Sequence, residues 1–144
     1  MKGYIQTGAG VVPEQWIDKN GHMNIAAYMA LFDQGSDILL QTCGCVPSLG
    51  SDTTFVAGRI LIDHRKELFL GDKWEQWSGI VAVQHGYLTI THRLRSASSI
   101  RATCDIRAKP FSVQNRVAVS LDPEIVRRLS SFRIPGQLDR FGPG

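Results

Sequence analysis

One run of helical spacing, followed by segments that alternate every second residue, constrains this chain more than any other feature. From Asn24 onward the apolar or small residues Ile25, Tyr28, Met29, Phe32, Gly35, Leu39 and Cys43 recur at steps of three and four. That is the repeat of a helix burying one stripe, and it predicts a helix over about 24–42. Asn24 suits the N-cap, and Gly44 with Pro47 shortly beyond supplies a stop. Gly35 in mid-helix costs about 1 kcal/mol against Ala, so it points to close approach by another element.

Beyond the helix the period falls to two. Leu88, Ile90, His92 and Leu94 alternate with Tyr87, Thr89, Thr91, Arg93 and Arg95. Ile100, Ala102, Cys104, Ile106 and Ala108 alternate in the same way with Arg101, Thr103, Asp105, Arg107 and Lys109, which predicts strands with one dry face. Pro110 is expected to interrupt pairing. Two further strands are expected at about 55–63 and 73–84, joined through Gly71-Asp72, with a turn at His85-Gly86 and a first strand at about 4–12. Short connections favour antiparallel neighbours, and one apolar helix on one such sheet makes an α+β fold. The expected architecture is a five- to six-stranded antiparallel sheet wrapped around one long central helix. Residues 1–132 form the domain in this reading, and 133–144, rich in Gly and Pro, a flexible tail.

The chain's 144 residues suit a single core. Its net charge of +3 comes from 16 Lys and Arg spread among 13 acids, too little for a nucleic-acid groove but compatible with a phosphate-bearing ligand. Cys43, Cys45 and Cys104, odd in number, make no disulfide framework and fit a reducing, cytoplasmic setting. The scattered histidines have no ligand spacing, so no metal is expected. No long apolar run or leader pattern occurs, so neither a membrane span nor export is expected.

The chemistry concentrates in PEQWIDKNGHMNIAAYMALFD, residues 13–33, where Asp18 and His22 flank Gly21 just ahead of the helix start. A helix N-terminus offers unpaired N–H donors and a positive dipole end, suited to an anion or to the oxyanion that develops when a carbonyl is attacked. A carboxylate beside it can attack directly or draw a proton from water. Structural roles stand next to each of these. Asp18 also suits an Asx-turn, His22 a turn-holding hydrogen bond, Asn20 a left-handed turn, and Asn24 a cap. Tyr28 and Phe32 lie on the core stripe, and Arg65 and Lys66 could be solvated surface or phosphate contacts. Trp16, Trp74 and Trp77 suggest an aromatic cage for a quaternary ammonium, although core packing is the commoner role of tryptophan.

The pattern W-x-D-x-N-G-H-M-N followed by an apolar helix resembles the 4-hydroxybenzoyl-CoA thioesterase-like hotdog family. The similarity runs over about residues 11–129, including Ile62-Asp63-His64-Arg65 and Gly71-Asp72. Within that family the segment is most similar to betainyl-CoA-cleaving thioesterases found beside, or fused to, carnitine dehydrogenases. The resemblance implies a hotdog fold and an acyl-CoA thioesterase with Asp18 as nucleophile or general base. It also implies backbone N–H groups of Met23, Asn24 and Ile25 as the oxyanion hole; His22 and Asn24, from their places beside Asp18, are further catalytic candidates. From their places in the loop, on the helical stripe and after a strand, Asn20, Gly21, Tyr28, Phe32, Arg65 and Lys66 are the candidate substrate contacts. CoA enters as part of the substrate with no separate cofactor, and the working unit is a homodimer or homotetramer. Two other functions compete. A hotdog enoyl-CoA hydratase resembles D-x-N-P-x-H, a pattern that Asp18-Lys19-Asn20 begins before Gly21 and an early His22 break it. A non-catalytic acyl-CoA-binding module is the other.

Overall fold

A helix lying in the curl of one antiparallel sheet is what these periods build. The computed structural model describes residues 1–45 and 52–143. Strand β1 (Ile5–Val11) leads through a short 3-10 turn into helix α1 (Ile25–Thr42); then come β2 (Thr53–His64), β3 (Lys73–Gln84), β4 (Tyr87–Ser96) and β5 (Ser99–Ser112). Strand β6 (Val117–Ala118) and helix α2 (Pro123–Ser130) follow. The sheet order is β1-β3-β4-β5-β2, with β6 on β5 and every pairing antiparallel, which is the hotdog arrangement. Asn24 caps α1, and the helix ends at Cys43 and Gly44; Pro47 lies outside the described residues. No described helix is long and apolar enough to cross a membrane.

The core forms where the helix stripe meets the inner sheet face. Leu31, Phe32 and Leu39 pack with Leu88, Leu94 and Cys104, all nearly or fully buried. Gly35 sits at the closest approach, because a Cβ there would run into the side chains of Gln76 and Thr7. The Gln76 amide donates to Leu31 O at 2.9 Å, so the small residue lets a buried side chain of β3 bond to the helix backbone.

Three expectations change. Pro110 does not interrupt β5: it stands opposite Phe55 of β2, and the strand runs on to Ser112. Its carbonyl accepts from Val119 N–H at 3.0 Å, so its missing N–H faces that same side, beyond the end of β4, and leaves the β2 ladder intact. The sheet also has two dry faces over β5, since Arg101, Thr103, Asp105 and Arg107 are as buried as the apolar residues between them. The segment expected as a flexible tail helps to cover them. Ile134 N–H bonds to Ile80 O at 2.8 Å, Asp139 meets Arg107 at 2.5 Å, and Arg140 reaches Asp105 at 2.6 Å and Asp63 at 2.8 Å. Burying those charges is tolerable because each finds an opposite charge or a carbonyl. The third change is α2, a second helix that the spacing of apolar residues does not reveal, although Asp122 before Pro123 is the sequence mark of a helix start.

Candidate active site

Residues 17–23 form a tight loop closed by a bridge between Ile17 and Met23. Asp18 N–H donates to His22 O (3.2 Å), and Gly21 N–H returns to Asp18 O (3.0 Å). Gly21 takes φ +84°, the left-handed region where a side chain is strained, which is why glycine stands in this turn. One carboxylate oxygen of Asp18 accepts Asn20 N–H at 2.8 Å, so the Asx-turn is made. The other oxygen has no hydrogen-bond partner among the described residues. Asn20 and Gly21 are exposed at the loop tip. His22 directs Nδ1 to Met23 O (3.2 Å); a carbonyl only accepts, so Nδ1 carries a proton, while Nε2 lies 3.9 Å from Glu67.

At the helix start Asn24 acts as the cap, its side chain accepting Ala27 N–H at 2.9 Å. Two of the three expected oxyanion donors are already engaged. Met23 N–H donates to Leu68 O and Asn24 N–H to Trp16 O, both at 2.8 Å. Those bonds dock the loop onto the body of the protein before the helical ladder begins. Ile25 and Ala26 N–H have no acceptor among the described residues, as the first turn of a helix leaves them.

Ile25 lies in the wall of a cavity of about 400 Å³. One wall comprises His22, Met23, Ile25 and Tyr28; the other comprises His64, Arg65, Lys66 and Glu67 at the end of β2. Tyr28 stands edge-on to His64, ring centroids 4.7 Å apart. Burial raises the pKa of its hydroxyl, with a backbone hydrogen bond from Leu68 working the other way. Arg65 and Lys66, whose N–H groups are held by Arg101 O at 2.8 and 3.1 Å, give the second wall a positive balance against Glu67. Asp18 does not line this cavity within the single chain, and Phe32 does not either. Phe32 is fully buried, stacked on His92, and borders a separate groove of about 130 Å³ between α1, β2 and β5. The tryptophan cage is not assembled: Trp16 and Trp74 meet at 6.2 Å, but Trp77, three residues along β3, projects from the opposite face.

A serine and a histidine do meet beneath α1, Ser36 Oγ and His92 Nε2 at 3.0 Å. Hydrogen-bond direction identifies this as scaffold. Ser36 Oγ–H donates to Phe32 O (3.0 Å), so Nε2 must be the donor toward Ser36. Nδ1 then accepts from Ser78 (2.6 Å), which accepts from Thr7 (2.7 Å), which accepts from Gln76 (3.3 Å). A ring nitrogen already protonated toward the hydroxyl cannot take its proton. Burial pushes the imidazole down to about 3, further from a useful base. His64 and Glu67 are the cavity residues that sequence reasoning missed; the signal for His64 was its place in Ile62-Asp63-His64-Arg65, directly before two basic residues. Among the described residues no three His, Cys, Asp or Glu side chains gather as a metal-holding group.

The model of the thioesterase-like superfamily matches residues 12–129. A curated relative, the L-carnitine dehydrogenase/betainyl-CoA thioesterase of Ruegeria pomeroyi, is 25% identical over 122 residues. The match takes in 84% of this chain but 25% of that protein, so the chain spans about a quarter of its relative's length. A Staphylococcus aureus hypothetical protein solved in complex with CoA superposes with a TM-score of 0.83 at 15% identity, covering 100% of this chain and 95% of the other. A putative thioesterase of Pseudomonas putida gives 0.77 at 20% identity, over 98% and 95%.

Proposed function

This chain belongs to the thioesterase-like superfamily, and on that premise we propose that it hydrolyses an acyl-CoA to the free acid and CoA. The observation that carries the reading is the N–H of Ile25 at the head of α1, without an acceptor among the described residues, on a residue in the wall of a cavity whose other wall is basic. In this reading the thioester carbonyl oxygen accepts from Ile25 N–H, with Ala26 N–H beside it, and the helix dipole favours the negative charge that develops there. Met23 and Asn24 anchor the loop and leave the oxyanion role to their neighbours. Arg65 and Lys66 meet phosphates of CoA.

Asp18 supplies the carboxylate through its uncommitted oxygen. Direct attack gives a mixed anhydride that water then opens, whereas general-base action delivers water to the thioester carbon at once; in both, CoA departs as thiolate and takes its proton from solvent. His22, with Nδ1 held by the backbone, presents Nε2 beside Glu67 as a polar contact for the substrate. Tyr28 lines the acyl side, and Phe32 shapes it only from the core. A wall carrying Arg65 and Lys66 suits phosphates better than a cationic acyl group. Betainyl-CoA therefore enters as one candidate among several.

The working unit in this reading is a homodimer. β2 is one of the sheet's two edge strands, with Val56, Ile60 and Leu61 exposed and no strand among the described residues on its outer side, and a second copy pairing there would protect that edge and bring further residues toward the cavity. Light scattering on Ile60→Lys is expected to show dissociation; a native protein that already runs as a monomer removes this part of the proposal. One observation favours a second reading, an acyl-CoA-binding module without turnover: Asp18 stands outside the cavity wall, engaged in its own turn. Thiol release from a panel of acyl-CoAs with aliphatic, aromatic and betainyl groups separates the two. Release from any of them supports hydrolysis, and CoA binding without release supports the module.

A further inference from the structure

Arg101 is a charged side chain with only 8% of its surface exposed, and the hydrolytic chemistry just described makes no use of it. Burying a guanidinium is costly unless every donor is satisfied. Its nearest carboxylate, Asp72, is 3.7 Å away. Its close hydrogen bonds go elsewhere, from Nη1 to Glu67 O at 2.6 Å and from Nε to Ser99 Oγ at 3.0 Å. At the same position the main-chain carbonyl accepts from Arg65 and Lys66 N–H. One residue of β5 thus holds three consecutive residues of the basic wall, two by its backbone and the third by its guanidinium. The next residue, Leu68, is fully buried, and its carbonyl takes Met23 N–H from the opposite wall.

We infer that Arg101 is a positioning residue that sets the spacing between the two walls of the cavity and thereby the affinity for the phosphate-bearing half of the substrate. It touches no substrate itself. The inference rests on Arg65 and Lys66 facing CoA, as proposed above. A lysine keeps the charge but cannot reproduce the planar fork that reaches Ser99, Glu67 and Asp72 together.

Arg101→Lys tests this by two readouts: CoA affinity by titration calorimetry, and steady-state hydrolysis of an acyl-CoA beside the N-acetylcysteamine thioester of the same acid, which has no phosphates. The expected result is about tenfold weaker CoA binding and about tenfold higher KM for the acyl-CoA, a decade being about 1.4 kcal/mol. kcat should stay within about twofold, and the short thioester should be unaffected. Unchanged CoA affinity, or equal losses on both thioesters, would overturn the inference and leave Arg101 a structural residue. Asp72→Asn removes the ion pair yet keeps an acceptor for Phe69 N–H, so it carries the same test, with a smaller expected loss, if the lysine variant does not fold. A native protein that binds CoA but hydrolyses neither thioester removes the hydrolase reading, while the calorimetry still decides the role of Arg101.

Discussion

The two walls of the cavity are built in opposite ways. The wall at the head of α1 comes from one continuous segment, a glycine turn, a capping asparagine and the first helical turn, fixed by bonds to near neighbours except for the one distant bond from Met23 N–H to Leu68 O. The basic wall is the end of an edge strand, and it takes its shape from Arg101, 34 residues from Glu67 in sequence. Local construction gives rigidly placed donors, which matter most where charge develops during reaction. Distant construction gives a surface whose placement depends on a buried side chain, which suits binding. In this account the first wall governs turnover and the second affinity.

Within the two walls themselves, the largest effect that would sharpen this division is expected from Ile25→Pro. Proline at the first helical position lacks the N–H yet fits the helix, and Asn24 before it already has φ −81° and ψ 160°, the extended conformation that a following proline requires. Turnover should fall by about 10²–10³ with the far-UV spectrum and CoA affinity retained. Unchanged kcat would remove the oxyanion role from this wall. A smaller effect is expected from replacing Arg65 and Lys66 together by Ala, about a tenfold rise in KM with kcat nearly unchanged, steeper at low salt than at high salt. A fall in kcat instead would break the division between the walls.

Beneath the middle of α1 lies the His92 network, which the proposed chemistry does not use. An unfolded histidine titrates near 6.5, whereas burial holds His92 at about 3. Between these values the unfolded chain binds the extra proton. This contribution is therefore intact above about pH 6.5 and falls as pH drops, approaching about 1.4 kcal/mol per pH unit until about pH 3. Urea unfolding at pH 7 and pH 5 checks the sign, and equal midpoints would mean that the imidazole is not held neutral.

What could be read in the sequence follows the same contrast. The course of α1, its cap at Asn24, the span of β3 and the close approach at Gly35 all depend on spacing or on a single residue's conformational preference, and they lie where the pattern placed them. The loop of Asp18 and Gly21 was legible for the same reason. Elsewhere, sequence distance hid the outcome. Nothing near Met23 says that its N–H goes to Leu68, nothing near Arg101 says that it holds Glu67, and nothing near Arg140 says that it crosses to Asp105 and Asp63. Phe32 was placed with the substrate because helix periodicity assigns a face; it does not say which part of that face meets the core and which the cavity.

The most direct test of the central claim is the pair of kcat for acyl-CoA hydrolysis and Kd for CoA in Asp18→Asn. Asn keeps an oxygen for the Asn20 turn bond while losing the charge. The account predicts a loss in kcat of about 10³-fold or more, within the range of a removed general base, with Kd unchanged. Turnover at the native rate would contradict it and move the catalytic carboxylate elsewhere.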